Sequence, residues 1–583
     1  MNILLKPNFL DKEKASKMRT TKTTFKQLPL HHPLKYICLS LMFTSVHNSI
    51  IAAPELSIED KLLSNDTYLP DYSYAGYHFG EREITYSETT TYVDVQDFGA
   101  VPNDNKDDTR AILNAFEHAH SINGHVTVTL PKGRFIVKDI LKISRGNITV
   151  SGKGMGEQGT QLYFPMPLSI IDKTPHLDEL RNYLRLHNKK QRDAEIYIDD
   201  YFSEYSWSGG VIWIQKEGTR PVPYLEELDE QLPMLATVTK GKRGTKTLEV
   251  SNTSQISVGD ILRIDWHNKN GKQAGIIKSI YGDTDLMIGS HHYDFPDRPL
   301  VMQPTQVKSI RGNTVEIRDP LLHDINENIP AHLSSWEHLE EVGIEGLSIQ
   351  FPSGETYGHH VEQGFNGIYL TSVFNSWIRD VSFDNADSAI LTENSGNVTI
   401  SNIHSYGTRF GHYGVHLGSV HNFLVEDAKI SNPTVHTFSM NTKSTKSVFL
   451  RGEAFTQPTL DQHAGANHQN LYDNMTIHIE TKRDEKGPYY DLWFGGGAGY
   501  WQPGHGRYNT TWNAKIFVES GADSNETVRI LGQTEGPDAR VVGIYGNRKF
   551  SIEHYPVPHI SDINNKVAIP SLYDYQKQKR LAK

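Results

Sequence analysis

The sequence predicts an all-β fold built as a solenoid, and three observations carry that prediction. The stretch from about 342 to 477 repeats: segments opening at Phe365, Ser388, Tyr413 and His436 align on Ile368, Ile390, Val415 and Phe438, at offsets of 22, 25 and 23 residues. Within each unit (FNGIYLTSVFNSWIRDVSF, SAILTENSGNVTISNI, YGVHLGSVHNFLVEDAKI, HTFSMNTKSTKSVFLRGEAF) apolar residues alternate with polar ones, the period of strands rather than helices. Between the alternating runs lie polar turns rich in Asn, Ser and Gly. Units of this length without a helix bury their inward faces by stacking on one another. The competing architecture is a β-sandwich of evenly spaced hairpins. In a solenoid, side chains of successive coils line up about 4.7–4.9 Å apart on an exposed face, where function is expected.

Composition narrows the function. The 583 residues carry a formal net charge of −11, with no basic stripe to neutralise phosphates, so nucleic acid is not expected as a partner. An anionic polymer can still be bound if the cleft is locally basic. Gly (46) and Pro (27) are too few for a low-complexity chain. Residues 1–53 read as an export segment: Lys12, Lys14, Lys17, Arg19, Lys22, Lys26 and Lys35 precede the apolar run YICLSLMFTSVHNSIIAA. Its charged part is long, so Met18 is a candidate start. The apolar run is interrupted by His47 and Asn48 and is short for a membrane span. The expectation is a signal peptide and a secreted or periplasmic protein, with no membrane association after its removal. A disordered basic tail on a cytosolic protein is the alternative. Cys38, the only cysteine, lies inside this segment, so the mature chain has no disulfide, thiol nucleophile or cysteine metal site.

After a polar lead-in (54–90), a strand near Tyr92 runs into a turn at Gly99. Asp108 or Thr109 then caps a helix whose apolar face is Ile112, Leu113, Ala115, Phe116 and Ala119. Such a helix covers the open end of a solenoid. The DFGA at 97–100, the acidic loop, DDT at 107–109 and the A-x-x-x-A helix resemble the opening of the pectate-lyase superfamily, polygalacturonase-like members included. VTVTLPKGRFIV (126–137) and ITVSGKGMGEQGTQLYF resemble the strand–turn–strand and glycine-rich coil that follow. The resemblance implies a right-handed parallel β-helix with an N-terminal capping helix, and it implies that Asp97, Asp107 and Asp108 are structural. It also implies action on a polysaccharide.

The coils are interrupted twice. Residues 173–206 are charged and helix-prone, and about 236–330 alternates cleanly in TKTLEVSNTSQISVGDILRIDW and VKSIRGNTVEIRDPLL, predicting a small inserted antiparallel β module that walls a groove. The helix is expected over 91–520, with residues 521–583 as a C-terminal cap ending in a short helix.

Three constellations carry candidate chemistry: Arg409, His412, Tyr413 and His416; Asp461, His463 and His468, with Asn470; and Trp493, Trp501, His505 and Arg507 among glycines. Asn366 and Asp387 are further candidate substrate contacts. Eliminating across a uronic-acid linkage needs a cation against the carboxylate, a base for the C5 proton and an acid for the leaving oxygen. Arg409, a histidine, and Tyr413 or a second histidine fit these roles. A polar ladder that only holds turns together is the structural alternative. A hydrolase would need two carboxylates flanking the bond, for which Asp384, Asp387 and Asp461 are available. The NTD, GDD and RIK motifs of polygalacturonases are not found as such, which turns the reading toward a polysaccharide lyase. A glycoside hydrolase is the runner-up, and a non-catalytic carbohydrate-binding β-helix the second alternative. His291/His292 and His359/His360 form pairs, yet no H-x-x-x-H or H-E-x-x-H helix occurs, so a zinc enzyme is not expected. A calcium ion is compatible with the resemblance, although no dense Asp loop appears. The glycines at 152–159 precede no helix, against a nucleotide site. Trp266, Trp377, Trp493 and Trp501 are available to stack on sugar rings.

Overall fold

A computed structural model describes residues 68–583, apart from 86–89, 188–201, 222–228, 230, 272–273, 284–285, 291–292, 355–357, 494, 498–501, 533–535 and 556–557. The export segment, the first part of the lead-in, His291, His292 and Trp501 lie outside the described residues. Among the described residues no helix is long and apolar enough to cross a membrane.

The chain is a right-handed parallel β-helix. One face is a seven-stranded parallel sheet: β1 (Leu141–Ile143), β2 (Ile212–Ile214), β3 (Asn366–Thr371), β4 (Ser388–Glu393), β5 (Gly411–Leu417), β6 (Thr434–Met440) and β7 (Leu460–Gln462). Its register is the repeat read from the sequence: Ile368 pairs with Ile390, Ile390 with Val415, and Val415 with Phe438, and the column runs on to Leu460. All five side chains are fully buried. Each contributes roughly 1.5–3 kcal/mol through removal from water. The opposite wall is a larger parallel sheet whose inward column Ile344, Ile378, Ile400, Val425, Phe449 and Tyr472 closes the core. The Asn-rich turns have a geometric cause. Asn375, Asn397 and Asn422, stacked in successive coils, all hold φ between 46° and 55°, a left-handed conformation that asparagine tolerates better than most residues.

Helix α1 (Thr109–Ser121) covers the first coils with Ile112, Ala115, Phe116 and Ala119 buried. Asp107, rather than Asp108, accepts from the Thr109 amide at 3.0 Å. Asp108 ties the turn to the next strand by accepting from Val101 N and Ile136 N at 2.9 and 3.0 Å. Arg145 donates to the carbonyls of Ala119 and Ile122 at the helix C-terminus, satisfying acceptors that a helix end leaves open.

The inserted module is a closed antiparallel barrel of six strands, running from Met234–Gly241 to Ala331–Ser335. It docks on successive coils through Arg263 to Asn394, Asp319 to His421 and Asn422, and His323 to His468. The larger sheet continues past the expected end at 520, through Arg540–Val542 and His559–Ser561. The final helix, Leu572–Leu581, lies beside the coils instead of closing the stack. Asp473 accepts from Ser571 Oγ and the Tyr573 amide at its start. Arg580 donates to the carbonyls of Ser73 and Phe79 in the N-terminal strap.

Candidate active site

The outer face of β5, β6 and β7 carries a cluster of imidazoles, one phenol and one carboxylate. Tyr413 pairs in register with His436, and His416 with Ser439, which in turn pairs with Asp461. A regular strand would send residues 413 and 416 to opposite faces, yet their rings are 4.7 Å apart. The strand changes its facing at Gly414. A Cβ there would lie 2.4 Å from the Thr437 carbonyl oxygen and 3.2 Å from Ile430, so glycine turns inward beside Val415 and leaves Tyr413 outside.

His436 is the centre of the group. Its ring stacks on Tyr413 (5.0 Å) and lies 5.4 Å from His412 and 4.5 Å from His463, centroid to centroid. Asp461 sits beneath with Oδ2 3.2 Å from His436 Nδ1 and Oδ1 3.5 Å from His463 Nδ1, and it accepts from Ser439 Oγ at 2.6 Å. His359 stands over the cluster from the preceding loop, its Nε2 3.2 Å from His412 Nε2. His412 Nδ1 faces Glu362 Oε1 at 3.1 Å. Asn441 Nδ2 reaches the Tyr413 hydroxyl at 3.4 Å. A ring nitrogen from each of His359, His412 and His436 lies within 4.8 Å of the other two, and the same holds for His436, His463 and an Asp461 oxygen.

Burial sets the protonation states. It pushes His412 well below the ordinary histidine value and His416 down to about 3. His463 is lowered for the same reason, with Asp461 opposing the shift. Tyr413 is pushed well above 10, chiefly by burial and then by the Asp461 charge, so its phenol keeps its proton. For Asp461 burial is the largest influence and acts to raise it. His436 and His463 together outweigh that and hold it below the usual carboxylate range. The face thus offers imidazoles at His412, His416 and His463 whose charged form burial disfavours, a protonated phenol and an ionised carboxylate.

Tyr413, His412, His416, Asp461 and His463 therefore share one face, and other sequence candidates do not join them. Arg409 is 2% exposed. It donates to the carbonyls of Asn385 and Pro352, lies over the Phe365 ring, and has Nη1 3.5 Å from Asp387. Asp387 accepts from the Gly364 and Phe365 amides, and burial raises it to about 6. Asn366 donates to the carbonyls of Tyr205, Ser208 and Gly209. His468 bonds to His323 and to the Ala466 carbonyl at the barrel seam. Trp493 is buried with its indole N–H on Thr511, His505 is buried near His554, and Arg507 pairs with Asp538. These are packing roles. His436 and Glu362 were absent from the sequence candidates, and His359 entered only as half of the His359/His360 pair, although aligning HTF under YGV places His436 beneath Tyr413.

A cavity of about 490 Å³ lies between the coils and the barrel. Ser372, Asn394, Ser419 and Thr442, from turns of four successive coils, form its floor. Its charged lining is Arg220, Arg263, Arg298 and Lys443 against Asp229 and Glu337.

The family model described as rhamnogalacturonase A/epimerase, pectate lyase-like matches residues 92–163, which open the solenoid. The match covers the opening coils, the same stretch whose motifs resemble the pectate-lyase superfamily. Three solved structures are similar to the chain. A tailspike of Pseudomonas phage phi297 is 12% identical over 79% of this chain and 76% of its own, with a TM-score of 0.37. An exopolygalacturonase of Thermotoga maritima is 11% identical over 82% and 93%, also at 0.37. The A-module of a mannuronan C-5 epimerase from Azotobacter vinelandii is 12% identical over 80% and 98%, again at 0.37. No curated protein matches the chain in sequence.

Proposed function

We propose that the chain is an exported enzyme that cleaves an acidic polysaccharide by β-elimination, with the outer face of β5–β7 as its active site. The observation that carries this reading is the pairing of a proton-holding phenol, Tyr413, with one ionised carboxylate and imidazoles whose charged form burial disfavours, in three consecutive coils. His463 is the base. Asp461 lies 3.5 Å from its Nδ1, which orients the ring and leaves Nε2 for the C5 proton. Its side chain is 13% exposed, so it reaches the surface while Asp461 does not. Tyr413, held protonated and itself 1% exposed, is the nearest acid for the leaving glycosidic oxygen. The cavity between the coils and the barrel, where Arg220 and Arg263 are paired with Glu179, Asp229 and Asp265, adds Arg298 and Lys443 as cations toward a chain of uronic acids. The matched family's description, which names polysaccharide-modifying activities, supports the substrate class.

A hydrolase needs a second carboxylate across the scissile bond; Asp387 is engaged by two backbone amides, and Glu362 by Ser206 Oγ, the His360 amide and His412. The test is incubation with a panel of uronic-acid polysaccharides, following the ultraviolet band of unsaturated uronate and the release of reducing ends. Elimination gives both together. Reducing ends without the band would mean hydrolysis, inverted C5 centres in uncut polymer would mean epimerisation, and neither would mean a binding protein.

A further inference from the structure

We propose that His359, His412 and His436 form a binding site for a divalent transition metal of the zinc class. Tetrahedral zinc with nitrogen ligands at 2.0–2.1 Å sets those nitrogens about 3.3 Å apart. His359 Nε2 and His412 Nε2 are 3.2 Å apart, and a His436 ring nitrogen falls within 4.8 Å of both. His436 Nε2 is buried and makes no hydrogen bond. Buried polar atoms are rarely left so, and an ion among the three rings supplies the missing partner.

Two carboxylates stand where the outer shell of such a site requires them. Glu362 Oε1 is 3.1 Å from His412 Nδ1, and Asp461 Oδ2 is 3.2 Å from His436 Nδ1. A carboxylate behind a ligating imidazole fixes its tautomer and strengthens it as a ligand. Glu362 is itself held, accepting from Ser206 Oγ and the His360 amide. His359 is exposed and the other two are buried, so an ion enters from the His359 side and keeps a coordination position toward solvent. Three imidazoles without a dense set of oxygens select zinc-like ions over calcium or magnesium. The sequence argued against zinc because it has no helical H-x-x-x-H. The ligands here are supplied by separate coils, 53 and 24 residues apart, a spacing that no linear motif captures.

A cation at this position meets the substrate carboxylate that the buried Arg409 does not reach. That role rests on the elimination reading, whereas the binding itself does not.

The test uses the full chain, stripped with a chelator and titrated with zinc by calorimetry, with cobalt as a spectroscopic probe of a nitrogen-ligated tetrahedral site. The expected result is one equivalent of zinc per chain. His359→Ala, at the exposed rim, should weaken binding at least tenfold, and Glu362→Gln about 10–100-fold. His463→Ala should bind as the parent does. Circular dichroism must match across the set. Absence of saturable zinc binding by the folded parent overturns the proposal, as does parent-like binding by His359→Ala. Loss confined to His463→Ala also overturns it, because the ion would then belong to His436, Asp461 and His463. Zinc binding without unsaturated product keeps the site and removes the lyase reading. Elimination by a zinc-free, chelator-resistant chain does the reverse.

Discussion

Replacing Tyr413 with Phe separates chemistry from architecture. The ring keeps its stacking on His412 (4.2 Å) and His436 (5.0 Å). Only the hydroxyl is lost. Its contact with Asn441 Nδ2, at 3.4 Å, is longer than an ordinary N–H···O bond, so its removal should cost about 0.5 kcal/mol or less. The same hydroxyl, as general acid, should be worth roughly 10²–10⁴ in rate, or about 2.7–5.5 kcal/mol of barrier. The expected outcome is a melting temperature within about 2 °C of the parent and initial rates of unsaturated-uronate formation lower by at least about a hundredfold. A variant that keeps parental rates would remove Tyr413 from the mechanism. A variant that unfolds would make the hydroxyl structural.

Other predictions follow from the same geometry. Gly496 stands against His463, where a Cβ would lie 1.9 Å from Cε1, so Gly496→Ala should push the imidazole aside and lower kcat with little change in melting temperature. Ile390→Ala, in the middle of the inward column, should cost about 2–5 kcal/mol in denaturant titrations. Lys446 is buried, and desolvation lowers it to about 8. Between pH 8 and 10.5 the unfolded chain therefore binds more protons than the folded one, and stability rises with pH. Below pH 8 the charged form costs up to about 3 kcal/mol, so Lys446→Met should be more stable than the parent at pH 7 by roughly 1–3 kcal/mol. That advantage should shrink toward pH 10.5, and one that does not vary with pH would contradict the assignment. Replacing Arg298 and Lys443 in the cavity together by Ala should raise KM for an acidic polymer more than it lowers kcat.

The fold was legible because stacking is periodic. The four anchors chosen from alternation alone are the residues that pair across β3 to β6. The extent of the larger sheet was not, since the coils beyond Trp512 are separated by 27 and 16 residues and lose the even period. The site was legible in part. Register places His436 under Tyr413 and Asp461 under Ser439, and that much can be read by aligning the repeats. The reversal of facing at Gly414 cannot, because it depends on the contact with Ile430 across the core. Arg409 was misleading for a similar reason. Its carbonyl partner Pro352 is 57 residues away, so nothing local showed that the guanidinium is held inside. His468 and His505 share the composition of the cluster but face the barrel seam and the later coils.

Incubated with a susceptible uronic-acid polysaccharide, the parent chain should release oligosaccharides that each carry an unsaturated uronate at the new non-reducing end, one per new reducing end by mass spectrometry and ultraviolet absorbance. His463→Ala and Tyr413→Phe should release almost none. Saturated products from the parent, or unsaturated products undiminished in both variants, would contradict the elimination reading.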